Sequence, residues 1–115
     1  MPRSPLPDID LHRIRTFAES RVPARARHQV RLELEVNGSN ITLVERRAPW
    51  DPDYGPVWSR SPVASLRYSP KNGWWTLFWC DHNSQWHRYD RTDPTPTVSR
   101  LLAELDRDPN AIFWG

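Results

Sequence analysis

The sequence predicts an α+β fold, with a mostly antiparallel sheet of about five strands flanked by an N-terminal and a C-terminal helix. Two segments near the ends carry apolar residues at helical spacing, and the region between them carries short alternating or aromatic runs separated by turn signals. Strands bracketed by helices belong to α+β architectures. A chain of 115 residues has the length of one domain and can bury a core without metal or disulfide support. We expect a single domain over residues 1–115, with 1–7 outside the ordered fold.

The first helix begins at Asp8, read as an N-cap. Leu11, Ile14, Phe17 and Ala18 form its apolar face, and Val22-Pro23 stops it, because proline disfavours helix in the residue before it. In HQVRLELEV the apolar Val30, Leu32, Leu34 and Val36 alternate with polar residues, the period of a strand with one buried face. Asn37-Gly38 is a hairpin signal, and ITLVER, 41–46, returns as the second strand. RAPWDPDYGPVWSRSP, 47–62, holds Pro49, Pro52, Pro56 and Pro62 with Gly55. These exclude a regular ladder, so we read a loop pinned to the body by Trp50, Tyr54 and Trp58. VASLRYS, 63–69, is the third strand, WWTLFWC, 74–80, the fourth, and QWHRY, 85–89, the fifth. The last helix has Pro96 in its first turn and Val98, Leu101, Leu102 and Leu105 on one face. Asp108-Pro109 ends it, and AIFWG packs as a turn or tail.

The fourth and fifth strands, GWWTLFWCDHNSQWHRY, hold four of the seven tryptophans. Trp75, Leu77 and Trp79 point to one face, and Trp74, Thr76, Phe78 and Cys80 to the other. A turn centred on Asn83-Ser84 or His82-Asn83 puts Trp86 and Arg88 on the face of Trp79, and His87 and Tyr89 on that of Phe78 and Cys80. A three-residue loop inverts this. Either way both faces carry large aromatics. Each tryptophan buries ~150–250 Å², about 4–6 kcal/mol gross at ~25 cal/mol per Å². Both helices are expected on one face. The other then needs the proline-rich loop, a second subunit or a ligand.

The formal net charge is +2, and fifteen of the sixteen Lys and Arg residues are arginine. One cysteine cannot form an intramolecular disulfide and suits a reducing compartment. The N-terminus has no signal-peptide character, and no apolar run approaches the ~20 residues of a membrane span. The expectation is a cytoplasmic protein without membrane contact. Cys80, Asp81, His82 and His87 lie close together, yet one cysteine and no paired-ligand motif predict no metal site. Cys80 with His87 is a weak nucleophile–base candidate. GxSxG, GxGxxG, P-loop and HExxH motifs are absent, and no cofactor is expected. Arg21, Arg25, Arg27, His28 and Arg31 form a stretch without an acid, near Arg46 and Arg47. Such a face could track a phosphate backbone, or simply be solvated with Glu33 and Glu35 as partners.

ERRAPW (45–50), VASLRYS (63–69), WWTLFWCDHNSQWHRY (74–89) and LLAELDRDPNAIFWG (101–115) resemble the domain-of-unknown-function family numbered 3024, small and mostly bacterial proteins. Its most specific features are the tryptophan hairpin ending in Trp86-His87-x-Tyr89 and the Asp108-Pro109…Phe113-Trp114 tail. The family's acidic-x-Arg-Pro segment is interrupted here, because Ala48 stands between Arg47 and Pro49. The resemblance implies one compact domain and no activity, cofactor or catalytic residue.

The function expected is therefore a non-enzymatic binding or interaction module. Its surface would combine Trp50 and Trp58 of the loop with Trp79, Trp86 and Arg88, and it would form a homodimer through the second aromatic face. One alternative is a nucleic-acid binder using Arg25, Arg27, Arg31, Arg46 and Arg47. Another is a small enzyme with His87 as acid or base.

Overall fold

A computed structural model of the chain describes residues 6–51, 53 and 55–114. Helix α1 spans Asp8–Arg21, followed by a 3₁₀ turn at Ala24–Ala26. Strands β1 (Val30–Asn37), β2 (Asn40–Arg47), β3 (Ser61–Ser69), β4 (Trp74–Cys80) and β5 (Trp86–Arg88) come next, and helix α2 spans Ser99–Arg107. The strands form one sheet in chain order, and every pairing is antiparallel. The fold is α+β, as expected.

Register explains the core. Leu34, Leu43, Ala64 and Trp79 follow one another across β1 to β4, as do Ile41, Leu66 and Leu77 across β2 to β4. These side chains share one face. Ile14 and Ala18 of α1 and Leu101, Leu102 and Leu105 of α2 join them in a single cluster with Trp75 and Tyr89. Both helices therefore cover the same side of the sheet. The Tyr89 hydroxyl donates to Glu104 Oε1 at 2.8 Å. Burial, then this carboxylate, pushes the phenol up to about 12.

Four local expectations need correction. Asp8 does not cap α1: Pro7 holds the cap position and no side chain caps it. The carboxylate with a structural role is Asp10, two residues further on in the same first turn and 4 % exposed. The first hairpin turn is Gly38-Ser39, one residue later than read, since Asn37 pairs with Asn40 and Gly38 takes the positive φ of 60° that a glycine-first turn requires. Pro62 lies inside β3, at an irregularity where Leu43 faces Ala64 and Val44 faces Pro62. Val63 is the extra residue, and a bulge is where a sheet tolerates proline. Pro96 precedes α2, whose cap is Val98. Thr95 exchanges two backbone hydrogen bonds with Trp75, at 2.7 and 3.0 Å. The chain must stay extended there, so the helix starts only afterwards.

The loop between β2 and β3 is less pinned than its aromatics imply. Trp50 is 85 % exposed, Tyr54 lies outside the described residues, and only Trp58 is half-buried. Of the expectation for 1–7, residues 1–5 also lie outside the described residues, while Leu6 is buried in the core. After α2, Asp108 adopts φ 39°. Its carboxylate accepts the backbone N–H groups of Ile112, Phe113 and Trp114 at 3.0, 3.2 and 3.0 Å. This folds the tail back, seats Phe113 in the core and lets Trp114 Nε1 donate to Leu105 O at 2.7 Å.

Asp10 holds the layers together. Its Oδ2 accepts from Trp75 Nε1 at 2.9 Å, and its Oδ1 accepts from Val98 N at 3.5 Å. Removing a buried charged acceptor leaves these donors unsatisfied. Asp10→Ala is expected to lower the unfolding free energy by roughly 1.5–3 kcal/mol, whereas Asp8→Ala should stay within about 0.5 kcal/mol. Urea denaturation followed by circular dichroism checks both values. An equal or larger loss at Asp8 would restore it as the cap.

Candidate functional site

The geometry of the tryptophan hairpin is decided by Asp81. Its Oδ1 accepts the backbone N–H groups of Asn83 and Gln85, each at 2.9 Å, and its Oδ2 lies 2.6 Å from His87 Nε2. The Asp81 N–H donates to Gln85 O at 2.9 Å, and Ser84, at φ 64°, donates to Asp81 O at 3.0 Å. The result is a five-residue loop, 81–85. Phe78 faces Arg88, Trp79 faces His87, and Cys80 faces Trp86. An odd-numbered loop inverts the parity that a two-residue turn would give.

Trp86 and Arg88 therefore lie with Phe78 and Cys80, on the side away from the helices, while Trp79 and His87 lie on the helix side. The expected surface of Trp79, Trp86 and Arg88 does not exist as one face. Cys80 and His87 likewise point to opposite sides, so they are not a nucleophile–base pair. The Cys80 thiol donates to Asp81 O at 3.6 Å, and burial, then the Asp81 charge, pushes its pKa up, the reverse of what a reactive thiol needs. The His87 ring stacks on Trp79 with centroids 4.6 Å apart. Among the described residues no group of three His, Cys, Asp or Glu stands where it could hold a metal ion. Among the described residues no helix is long and apolar enough to cross a membrane.

The structure also divides the arginines of the nucleic-acid alternative. Arg31 and Arg46 are cross-strand partners on one side, while Arg47 faces Val30 on the other. The Arg31 guanidinium lies 4.3 Å from the Trp58 ring centroid. Arg46 reaches Glu33 at 3.3 Å and Glu35 at 3.6 Å, and Arg47 reaches Glu45 at 2.8 Å. Arg27 donates to Glu19 O at 3.4 Å. Arg25, on the 3₁₀ turn, is exposed. Arg60, which sequence reasoning passed over, forms an ion pair with Glu35, and its hydrogen bond holds that carboxyl below its usual value. The carboxylates of β1 and β2 thus neutralise two of the five expected contacts, Arg46 and Arg47, together with the neighbouring Arg60, by geometry the linear stretch could not display.

The cluster that sequence reasoning missed is on β3, β4 and β5. The Arg67 guanidinium carbon sits 3.9 Å from the Phe78 ring centroid and 6.0 Å from that of Trp86, within cation–π range. Arg67 Nε donates to Ser65 Oγ at 3.3 Å. Arg88, exposed, stands opposite Phe78 across the β4–β5 pair. Trp74, 41 % exposed, lies on the same side at the far end of β4. Once register is known, Arg67, Phe78, Trp86 and Arg88 are neighbours. The only sequence signal for this was the lack of any acid in the three strands.

The loop lock has a pH signature. Hydrogen bonding from His87, then from the backbone of Gln85 and Asn83, holds the Asp81 carboxyl below its ordinary 3.8. A depressed folded-state value adds stability above the ordinary carboxylate range, and that contribution is lost as pH falls through the folded value. Asp81→Asn should lower the melting temperature at neutral pH, and the two curves should converge as pH falls below the ordinary carboxylate range. A gap that stays constant with pH would show that the charge is not what locks the loop.

The comparison with curated proteins finds no match, and neither does the comparison with solved structures. The family model described as "Domain of unknown function (DUF3024)" matches residues 1–115, the whole chain, and the protein belongs to that family.

Proposed function

We propose that the protein is a non-enzymatic binding module whose contact surface is the sheet face turned away from the helices, centred on Arg67, Phe78, Trp86 and Arg88. The observation that carries this reading is the Arg67 guanidinium lying over Phe78 with Arg88 beside it. Charge and ring face are offered together on a rigid sheet, where Trp74 remains 41 % exposed. Concentrated aromatic and arginine side chains are what interfaces select. A reducing, cytoplasmic setting accompanies the reading and is supported by the single cysteine, Cys80.

A thermal-shift panel of nucleotides, polyphosphate and acidic peptides tests it. A ligand at 100 times its Kd stabilises by about 2.7 kcal/mol, a rise of several degrees in Tm for a chain of this size. At least one anionic class should raise the Tm of the native protein and leave Arg88→Glu unmoved. Equal responses in both proteins would place binding elsewhere and sink the reading.

A second reading, a homodimer, is favoured by a separate observation: Trp50 is 85 % and Val57 80 % exposed on the loop between β2 and β3. Light scattering at tens of micromolar should report a dimer that Trp50→Ser with Val57→Ser converts to monomer. A native protein that is already monomeric there rules this reading out.

A further inference from the structure

We infer that the Arg67–Phe78–Trp86–Arg88 face binds single-stranded nucleic acid, with Trp74 as a second stacking position; the inference rests on the binding-module reading above and names its partner class. The first ground is charge. None of β3, β4 and β5 contains an aspartate or glutamate. Among the described residues neither Arg67 nor Arg88 has a carboxylate within ion-pair distance, whereas Arg21, Arg46, Arg47 and Arg60 each do. This half of the sheet is therefore locally cationic although the whole chain is only +2. It calls for an anion that comes from outside the molecule.

The second ground is the kind of anion. The Arg67 guanidinium lies over the Phe78 ring and near that of Trp86, with Arg88 paired across from Phe78, so the complementary partner carries phosphate and planar bases together. Bases stack on aromatic side chains without regard to sequence, while arginines track the backbone. The third ground is shape. Trp74 and Cys80, with Trp86 opposite it, are six residues apart on one strand, roughly 20 Å at ~3.3 Å per residue. That spacing suits an extended chain laid along β4 rather than a mononucleotide in a pocket. A flat sheet face has no helix or ribbon to enter the major groove of a duplex. The arginines differ from Arg46 and Arg47, which are held by the glutamates of their own hairpin.

Fluorescence anisotropy of a labelled single-stranded homopolymer, titrated with the full chain at low salt, tests the proposal. Two backbone contacts predict a log–log salt slope of about −1.4. Arg88→Ala should remove about half of that slope, and Trp74→Ala should weaken binding at least about fivefold without changing it. Both side chains are exposed, and circular dichroism verifies that the variants fold. Polyphosphate and duplex competitors should compete poorly. Competition by polyphosphate equal to that of the oligonucleotide, with Trp74→Ala silent, overturns the inference in favour of a plain anion site. Loss of binding in Arg46→Ala rather than Arg88→Ala overturns it in favour of the other arginines. Absence of oligonucleotide binding at low salt also overturns it. In that case an Arg88-dependent thermal shift with another ligand class leaves the binding-module reading standing, and no such shift removes both.

Discussion

The fold depends on one buried carboxylate. Asp10 sits in the first turn of α1, accepts the indole N–H of Trp75 and reaches the backbone of Val98 at the start of α2. Arg13 supplies a cation at 3.5 Å and also donates to Thr97 Oγ1 at 3.3 Å. A charge this deeply buried is tolerated only when its lone pairs are filled. Each partner comes from a different part of the chain, so satisfying Asp10 fixes helix against sheet and helix against helix together. The indole of the most buried tryptophan is oriented by the same bond, and this aligns the rest of β4.

A second carboxylate sets the surface. Asp81 organises the five-residue loop, and the loop length decides which face each β5 side chain occupies. The strands, both helices and the apolar core were legible in the sequence, because the spacing of Leu101, Leu102 and Leu105 or the alternation of Val30 to Val36 reports directly on burial. The candidate site was not legible. Its assembly depends on a parity of one residue, and DHNSQ is compatible with loops of either parity until the Asp81 side chain closes its hydrogen bonds. The same uncertainty split Trp79 from Trp86 and Cys80 from His87. Asp8 and Asp10 posed a smaller version of the problem: both suit the first turn of a helix, and only tertiary packing tells which one is used.

The arginines illustrate how chemistry is redistributed by folding. In linear order the densest basic stretch precedes β1. In the folded protein, Glu33, Glu35 and Glu45 answer the cations of the β1–β2 hairpin, and Val44 lies fully buried on the helix-free side of the same region. The acid-free strands β3 to β5 hold fewer arginines, yet these have aromatic rings rather than carboxylates for company. Local balance, and not the count of charges, separates a self-neutralised surface from one that can take a partner.

The strands pair in the order in which they are made, so most of the sheet needs only short loops to close. The contacts that Asp10 makes span 65 and 88 residues, and Arg21 meets Asp106 across 85. The sheet is a meander of neighbouring strands, whereas the Asp10 contacts join the two ends of the chain. Docking the helices carries the large loop entropy, and Asp10 is protected from water only with both in place. The contacts of highest loop-closure cost thus meet at the place where the molecule's charge is most deeply held.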